Sequence, residues 1–371
     1  MIPGNAGRGT KHDSFADDVG TAHNMHIDRQ RFIASAAAFA GASSLSAEQT
    51  RAAGAAVTGQ AGSGTRAIPK RRLGRTNERV SIVGMGGFHI GKPDIPDAAA
   101  IKLIHSGVDR GITFLDNSWD YNRGNSELRM GRALGQAGYR DRVFLMTKID
   151  GRTKESAQKQ IEQSLSRLLT DRVDLLQFHE NIRPDDADRI FAPGGAFEAA
   201  LAAKKAGKIR FIGFTGHKSP AYHLHMIEVA KNNGFTFDTV QMPLNVMDAH
   251  YDSFEKRVLP VATNLDMGII GMKTFGDAHI LETALVSPID MLHYGLNLPT
   301  SVVVTGIDKA AILDQAVLAA TSFQPLGAQH VAAMLAKTSA AAASGKTELY
   351  KTTHIFDSTI QNPQWLETAQ I

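Results

Sequence analysis

From Val80 onward, short runs of consecutive apolar residues, many of them β-branched, alternate with longer amphipathic stretches rich in Ala and charge. The runs are VSIVGMGG from Val80, ITFLDN from Ile112, VFLMTKI from Val143, VDLLQFHE from Val173, IRFIGFTG from Ile209, TVQMPLN from Thr239, GIIGMKTF from Gly268 and SVVVTGI from Ser301. Continuous rather than alternating hydrophobicity is what a strand buried on both faces requires, and parallel strands are buried in this way. The eight runs recur about every 30 residues, which leaves room for a crossover helix in each gap. Two gaps carry explicit helix signals. KESAQKQIEQSLSRLL repeats apolar residues at helical spacing, and SELRMGRALGQAG ends in a candidate Gly C-cap. Eight βα units over about 240 residues predict an α/β fold of the (βα)8 TIM-barrel type, which takes about 250.

The rival architecture is a doubly wound sheet. Its dinucleotide fingerprint fails after the first run, where Gly84-Met85-Gly86-Gly87-Phe88-His89 places His89 at the third glycine of G-x-G-x-x-G. Ahead of that run, RRLGRTNERVS from Arg71 predicts an N-terminal hairpin turning at Gly74-Arg75-Thr76-Asn77, which would cap one end of the barrel. Two connections, NIRPDDADRIFAPGG after the fourth run and GDAHILETALVSPID after the seventh, exceed the usual two to six residues and read as pocket-shaping loops. The expected organisation is a leader over 1–68, a barrel over 69–325, and a C-terminal helical extension over 326–371 that packs on the barrel.

Composition narrows the function. The chain has 371 residues, 43% hydrophobic and 21% charged, with a formal charge of +3 and no basic run interleaved with aromatics, so a nucleic-acid surface is not indicated. The absence of cysteine removes disulfides, thiolate zinc sites, iron–sulfur clusters and a Cys nucleophile. No apolar run approaches the roughly 18 residues that span a bilayer, so no membrane association is expected of the mature form. Residues 25–55 place Arg29 and Arg31 before an Ala-rich apolar stretch from Phe32 to Ala42, followed by Ala53-Gly54-Ala55. This resembles a twin-arginine export signal with Gln30 between the arginines. Two readings stay open: export to the periplasm, or a low-complexity leader on a cytoplasmic protein, with Met25 as an alternative start.

Four residues stand at or just past the ends of candidate strands: Asp116 and Tyr121 in FLDNSWDY, Lys148 in FLMTKI and His179 in LLQFHE. In a parallel barrel those ends converge on one mouth, where catalytic groups gather. A Tyr, a Lys, a carboxylate and a His together suggest carbonyl chemistry. A sugar hydrolase on the same barrel would need two facing carboxylates, and only Asp116 is well placed. No H-E-x-x-H occurs, and His223 and His225, two apart on a helix, do not share a face, so no metal site is expected.

These segments resemble the aldo-keto reductases, nicotinamide-dependent oxidoreductases on a (βα)8 barrel, over about residues 70–321. RRLGRTNERVSIVGMGG is similar to the family's opening hairpin and first strand, and FLDNSWDYNRGNSELRMGRAL to its second-strand signature. The tail ELYKTTHIFDSTIQNPQWL is similar to that of a subgroup that often carries export signals. The resemblance implies reduction of aldehyde or ketone carbonyls with NADP(H), NAD(H) remaining open, on a small-molecule substrate, by a monomer or small homo-oligomer. Tyr121 would deliver the proton, Lys148 would lower its pKa, Asp116 would pair with Lys148, and His179 would orient the carbonyl oxygen. Thr215, Gly216 and His217 would meet the nicotinamide amide with Gln241. Met272, Lys273, Thr274 and Gly276 would cover the ring and bind pyrophosphate, and Gly306, Lys309 and Gln315 would hold the adenosine end, at a helix start that favours anions. Asp308 stands where a basic residue is frequent, Met272 where an aromatic is frequent, and Ala316 where an Asn grips the adenine. Phe88, His89 and Trp119 are expected as substrate-pocket walls. The alternative function is a nicotinamide-binding regulatory or sensor protein with little turnover.

Overall fold

The computed structural model describes residues 67–136 and 138–371; the leader and its candidate export signal lie outside these. The chain enters through a hairpin, β1 (Lys70–Arg72) against β2 (Arg79–Ser81), antiparallel in the register Arg71↔Val80. Between them a 3-10 turn, Gly74–Thr76, ends at Asn77 in the left-handed region. Leu73 and Val80 project into an apolar cluster with Phe114, Phe144, Met146, Leu175, Ile270, Val302 and Val304. All but the first two belong to a barrel, and the hairpin closes its N-terminal end.

The barrel is closed and has eight parallel strands: β3 (Val83–Gly86), β4 (Phe114–Asp116), β5 (Phe144–Ile149), β6 (Val173–Phe178), β7 (Ile209–Thr215), β8 (Thr239–Pro243), β9 (Gly268–Met272) and β10 (Val302–Gly306), with β10 pairing back to β3. The fold is a (βα)8 barrel, with helices such as Asp97–Asp109, Lys154–Arg167 and Ala310–Ser322 outside it. All eight sequence runs became barrel strands. The first run is split, however: Val80 and Ser81 belong to the hairpin and the barrel strand begins at Val83. The chain changes partner there, with Ser81 Oγ donating to Val83 O and accepting from Thr113 N.

Successive strand side chains face opposite sides. Phe114, Met146, Leu175, Ile270, Val302 and Val304 point inward, while their neighbours Leu115, Leu145, Leu176, Ile269 and Val303 join the cluster beneath the helices. Stepping by two from the inward set reaches Asp116, Lys148, Gln177 and His179, Met272 and Gly306. The period-2 rule therefore delivers four polar residues, Asp116, Lys148, Gln177 and His179, to the inner face at the C-terminal mouth.

Of the two long connections, the one after β6 contains a helix, Asp186–Phe191, and the one after β9 contains two 3-10 turns, Gly276–Ala278 and Leu281–Thr283. Beyond Ser322, helix Ala328–Ala342 packs through Met334 and Ala342 against Val246, Met247, Ile280 and Met291 of the segments after β8 and β9. The last residues then cross the loops after β9, β8, β7, β6 and β5, touching Lys273, Asn245, His217, Glu180 and Arg152 in turn.

Candidate active site

Lys148 reaches up from β5 with its side chain 1% exposed, and its Nζ is ion-paired with Asp116 Oδ1. It also donates to Asn117 O at 2.8 Å and lies 3.2 Å from the Tyr121 hydroxyl and 4.6 Å from the Tyr121 ring centroid. The other Asp116 oxygen accepts from Gln241 Nε2 at 2.6 Å. Two oxygens of one buried carboxylate are thus shared between an ammonium and an amide, which offsets the desolvation of the pair.

Tyr121 opens a 3-10 turn, Tyr121–Gly124, whose Asn122 and Arg123 adopt φ of 50° and 56°. Two consecutive left-handed residues cost about 1–2 kcal/mol each. Asn122 Nδ2 offsets part of this by donating to Phe88 O at 2.7 Å and Ser126 Oγ at 3.0 Å. The turn sets the Tyr121 ring edge-to-face with Phe88 and His179, at 5.5 and 5.6 Å between centroids.

His179 is clamped from behind. Its Nδ1 stands 3.0 Å from Asp150 Oδ1, 3.3 Å from Asp120 Oδ1 and 3.2 Å from Ser118 Oγ, and both carboxylates are buried. Burial opposes a charged imidazole, but Asp120 and Asp150 outweigh it and hold the His179 pKa up at about 10. Burial and the Asp120 charge raise Asp150, whereas Asp120 falls below the usual range because His179 and Ser118 outweigh its burial. Among the described residues these three form the cluster whose donor atoms are close enough together for a cation, but the same atoms are joined by hydrogen bonds, and we read it as an imidazole clamp. Arg152 braces it, donating to Asp150 O, His179 O and Glu180 O at 2.7–3.0 Å while pairing with buried Asp186.

The Tyr121 phenol is pushed well above its usual range, by burial first and then by the charges of Asp116, Asp120, Glu180 and Asp150. The phenol is therefore held in its protonated form.

The cofactor candidates divide. Thr215 Oγ1, Gln241 Oε1 and Thr274 Oγ1, with Asn181 Oδ1, are buried without hydrogen-bond partners among the described residues. Buried polar atoms are seldom left so. At the mouth they match the donors and acceptors of a carboxamide and of phosphate, so the residues present fit a nicotinamide nucleotide. Gly216 packs so closely that a Cβ would lie 2.4 Å from Asn181 O, and at Gly306 one would lie 2.2 Å from the His89 ring. Met272 and Lys273 are half-buried, Lys273 at φ 56°, and Gly276 at φ 55° is buried. Lys309 is the N-cap residue of helix Ala310–Ser322, with half-buried Gln315 and buried Ala316 inside it.

His217 is tied to the tail. Its Nε2 lies 2.9 Å from Asp357 of the tail, and burial takes its pKa down to about 3, leaving it neutral. The tail makes further contacts at the mouth. Tyr350 and Phe356 rings lie 5.2 and 4.9 Å from Lys273 Nζ, Tyr350 OH accepts from Asn245 Nδ2, and Glu180 accepts from Ser358 N, Thr359 N and Thr359 Oγ1. Phe88 is 43% exposed at the rim and His89 lies 3.9 Å from Asp277, but Trp119 is not an open wall: it is fully buried, edge-to-face with Trp365 and donating to Gln163. Sequence reasoning missed Ser118, Asp120, Asp150, Arg152 and Glu180. Their only local signal was charge or hydroxyl beside each strand end, close in sequence to a recognised group.

The aldo/keto reductase family model matches residues 82–287, more than half of the chain. The chain belongs to the aldo/keto reductase family. It is 28% identical over 219 residues to YrpG of Bacillus subtilis, described as an uncharacterized oxidoreductase, covering 53% of this chain and 64% of that protein. It is 33% identical over 158 residues to L-galactose dehydrogenase of Arabidopsis thaliana, covering 40% and 49%. The chain therefore spans less than two thirds of these relatives' length. The holo form of aldo-keto reductase AKR11C1 from Bacillus halodurans superimposes with a TM-score of 0.60 at 20% identity, over 73% of this chain and 96% of that one, a likeness of fold.

Proposed function

We propose that this aldo/keto reductase reduces aldehyde or ketone carbonyls of small molecules, with Tyr121 as proton donor and a nicotinamide nucleotide as hydride source. The observation that carries the reading is the convergence, on one buried mouth, of a protonated phenol 3.2 Å from an ammonium and 5.6 Å, ring to ring, from an imidazole. When bound, the reduced nicotinamide supplies the hydride. Carbon gains hydride while charge develops on the carbonyl oxygen, so the site must offer a proton and hydrogen bonds there. Tyr121, kept neutral, holds the proton to be given up. Lys148 stabilises the phenolate left behind, and Asp116 with Gln241 fixes Lys148 in place. Since His179 Nδ1 is engaged, Nε2 is the nitrogen that remains to orient the carbonyl oxygen. Gln241 Oε1 and Asn181 Oδ1 would accept from the two N–H groups of the nicotinamide amide and the Thr215 hydroxyl would donate to its carbonyl, Lys273 and Thr274 would meet the phosphates, and Gly306, Lys309 and Gln315 would hold the adenosine end.

Loss of NADPH or NADH absorbance over a panel of aldehydes and ketones, wild type against Tyr121→Phe, tests this. A Tyr121-dependent loss of about 10²–10⁴ in kcat is expected. Tight cofactor binding without any Tyr121-dependent turnover would instead support a sensor role.

A further inference from the structure

Behind His179 lies a feature that the four-residue arrangement does not require. Asp120 comes from the turn after β4, one residue before Tyr121, and Asp150 from the end of β5, two residues after Lys148, yet both aim a carboxylate oxygen at one ring nitrogen, at 3.3 and 3.0 Å. Their side chains are 4% and 0% exposed, and the imidazole is 10% exposed. Two buried carboxylates on a single neutral N–H would be an expensive arrangement, because the donor can satisfy one of them while the charges repel. On an imidazolium the same two carboxylates each face a positive charge, and the cluster carries half the net negative charge it would have around a neutral ring. Ser118 Oγ donates at 2.5 Å to the same Asp120 oxygen that faces the ring, and Asp150 Oδ2 is buried without a hydrogen-bond partner among the described residues. The other charged groups around the ring are already engaged. Lys148 is committed to Asp116, Arg152 to Asp186 and to backbone carbonyls, and Glu180 to the tail amides of Ser358 and Thr359. None of these supplies a counter-ion to Nδ1.

We propose that Asp120 and Asp150 are positioning residues that fix the tautomer and the positive charge of His179, so that Nε2–H meets the substrate oxygen as a cationic donor rather than a neutral one. The inference rests on the carbonyl-reductase reading of the mouth. A charged donor is the stronger hydrogen-bond partner for an oxygen that becomes negative during hydride addition. It also makes the site selective for groups that gain negative charge, and unwelcoming to a substrate that arrives as a cation. Because two carboxylates hold the charge, the donor persists through the whole neutral range, in line with the raised His179 pKa.

The test has two independent readouts on the full-length protein. The first is the ¹⁵N and ¹³C titration of labelled histidine, assigned with His179→Gln. Wild-type His179 is expected to remain doubly protonated beyond about pH 9, and Asp120→Asn and Asp150→Asn each to lower its titration by about one to three pH units. The second is the pH profile of kcat/KM. Each Asn variant is expected to bring the alkaline limb down by the same interval, with about 2- to 100-fold loss near pH 9 that recovers as pH falls. The combined Asn variant is expected to lose the most. Merely structural damage would lower the rate equally at every pH. The proposal is overturned if wild-type His179 titrates near 6.5, if the limb does not move in either variant, or if elemental analysis finds a stoichiometric metal in the purified protein. Absence of any carbonyl turnover would overturn the functional reading alone, since the spectroscopic titration needs no substrate.

Discussion

Lys148 and Asp116 form the buried ion pair on which the mouth is built, and its energetics can be separated from catalysis. Their side chains are 1% and 4% exposed. Lys148→Met keeps the stem and removes the ammonium, leaving the Asp116 carboxylate with Gln241 Nε2 as its one strong partner. Breaking a buried pair from one side typically costs about 3–5 kcal/mol, because the surviving charge is uncompensated. Asp116→Asn leaves the ammonium with Asn117 O, the Tyr121 hydroxyl and a neutral amide, a cost of the same order. The double variant buries neither charge, so its loss should fall short of the sum of the single losses by at least about 2 kcal/mol. Urea unfolding followed by circular dichroism, with m-values compared across the four proteins, measures this. All three variants should lack reductase activity, so activity and stability part company in the double variant. Additivity within about 0.5 kcal/mol, or a Lys148→Met protein as stable as wild type, would refute the view that these charges depend on one another.

His223 is buried with Nε2 3.2 Å from Gln241 O, and burial lowers its pKa to about 4. The unfolded chain takes up that proton from about pH 6.5, so stability should be full above 6.5 and fall as pH drops toward 4, by about 3 kcal/mol from this residue; urea midpoints over that range should flatten in His223→Leu. The chain has two tryptophans, Trp119 and Trp365, edge-to-face at 5.6 Å, so Trp365→Phe leaves Trp119 emission as a reporter, expected to shift to the red when the tail is released by mild denaturant before global unfolding. Trp365→Ala should cost about 3–5 kcal/mol in urea unfolding. At the helix Ala310–Ser322 N-terminus, Lys309→Ala should raise KM for NADPH more than for NADH, and Asp308→Asn should do the reverse, lowering KM for NADPH.

The barrel was legible because every parallel strand must be apolar on both faces, a demand written into eight continuous runs. The recognised mouth residues followed from the strand period of two, which carries the inner face of Phe114, Met146 and Leu175 up to Asp116, Lys148 and His179. A run of apolar residues does not record where the hydrogen-bonding partner changes, and the break between Ser81 and Val83 was invisible for that reason. Nor does it record direction around a turn, which is why Trp119 faces Trp365 rather than a pocket. The segment NIRPDDADRIF holds a helix because Asp186 Oδ2 accepts from the N–H groups of Ile182 and Arg183 while its other oxygen pairs with Arg152, 34 residues earlier. No local periodicity encodes that pairing.

The tail is the extreme case. Asp357 meets His217 across 140 residues, and Thr359 meets Glu180 across 179. Each contact satisfies a group that a barrel ending at Ser322 would leave buried or awkward: a neutral imidazole, a carboxylate at φ 45°, and a lysine whose burial lowers its pKa. Where an aromatic is frequent in the family, β9 carries Met272, and the rings near the end of that strand are Tyr350 and Phe356 of the tail. A motif is a statement about neighbours in sequence, so it could name the polar groups at the strand ends. It could not name the partners the tail brings to the mouth, because those arrive from the far end of the chain and are chosen by burial and charge alone.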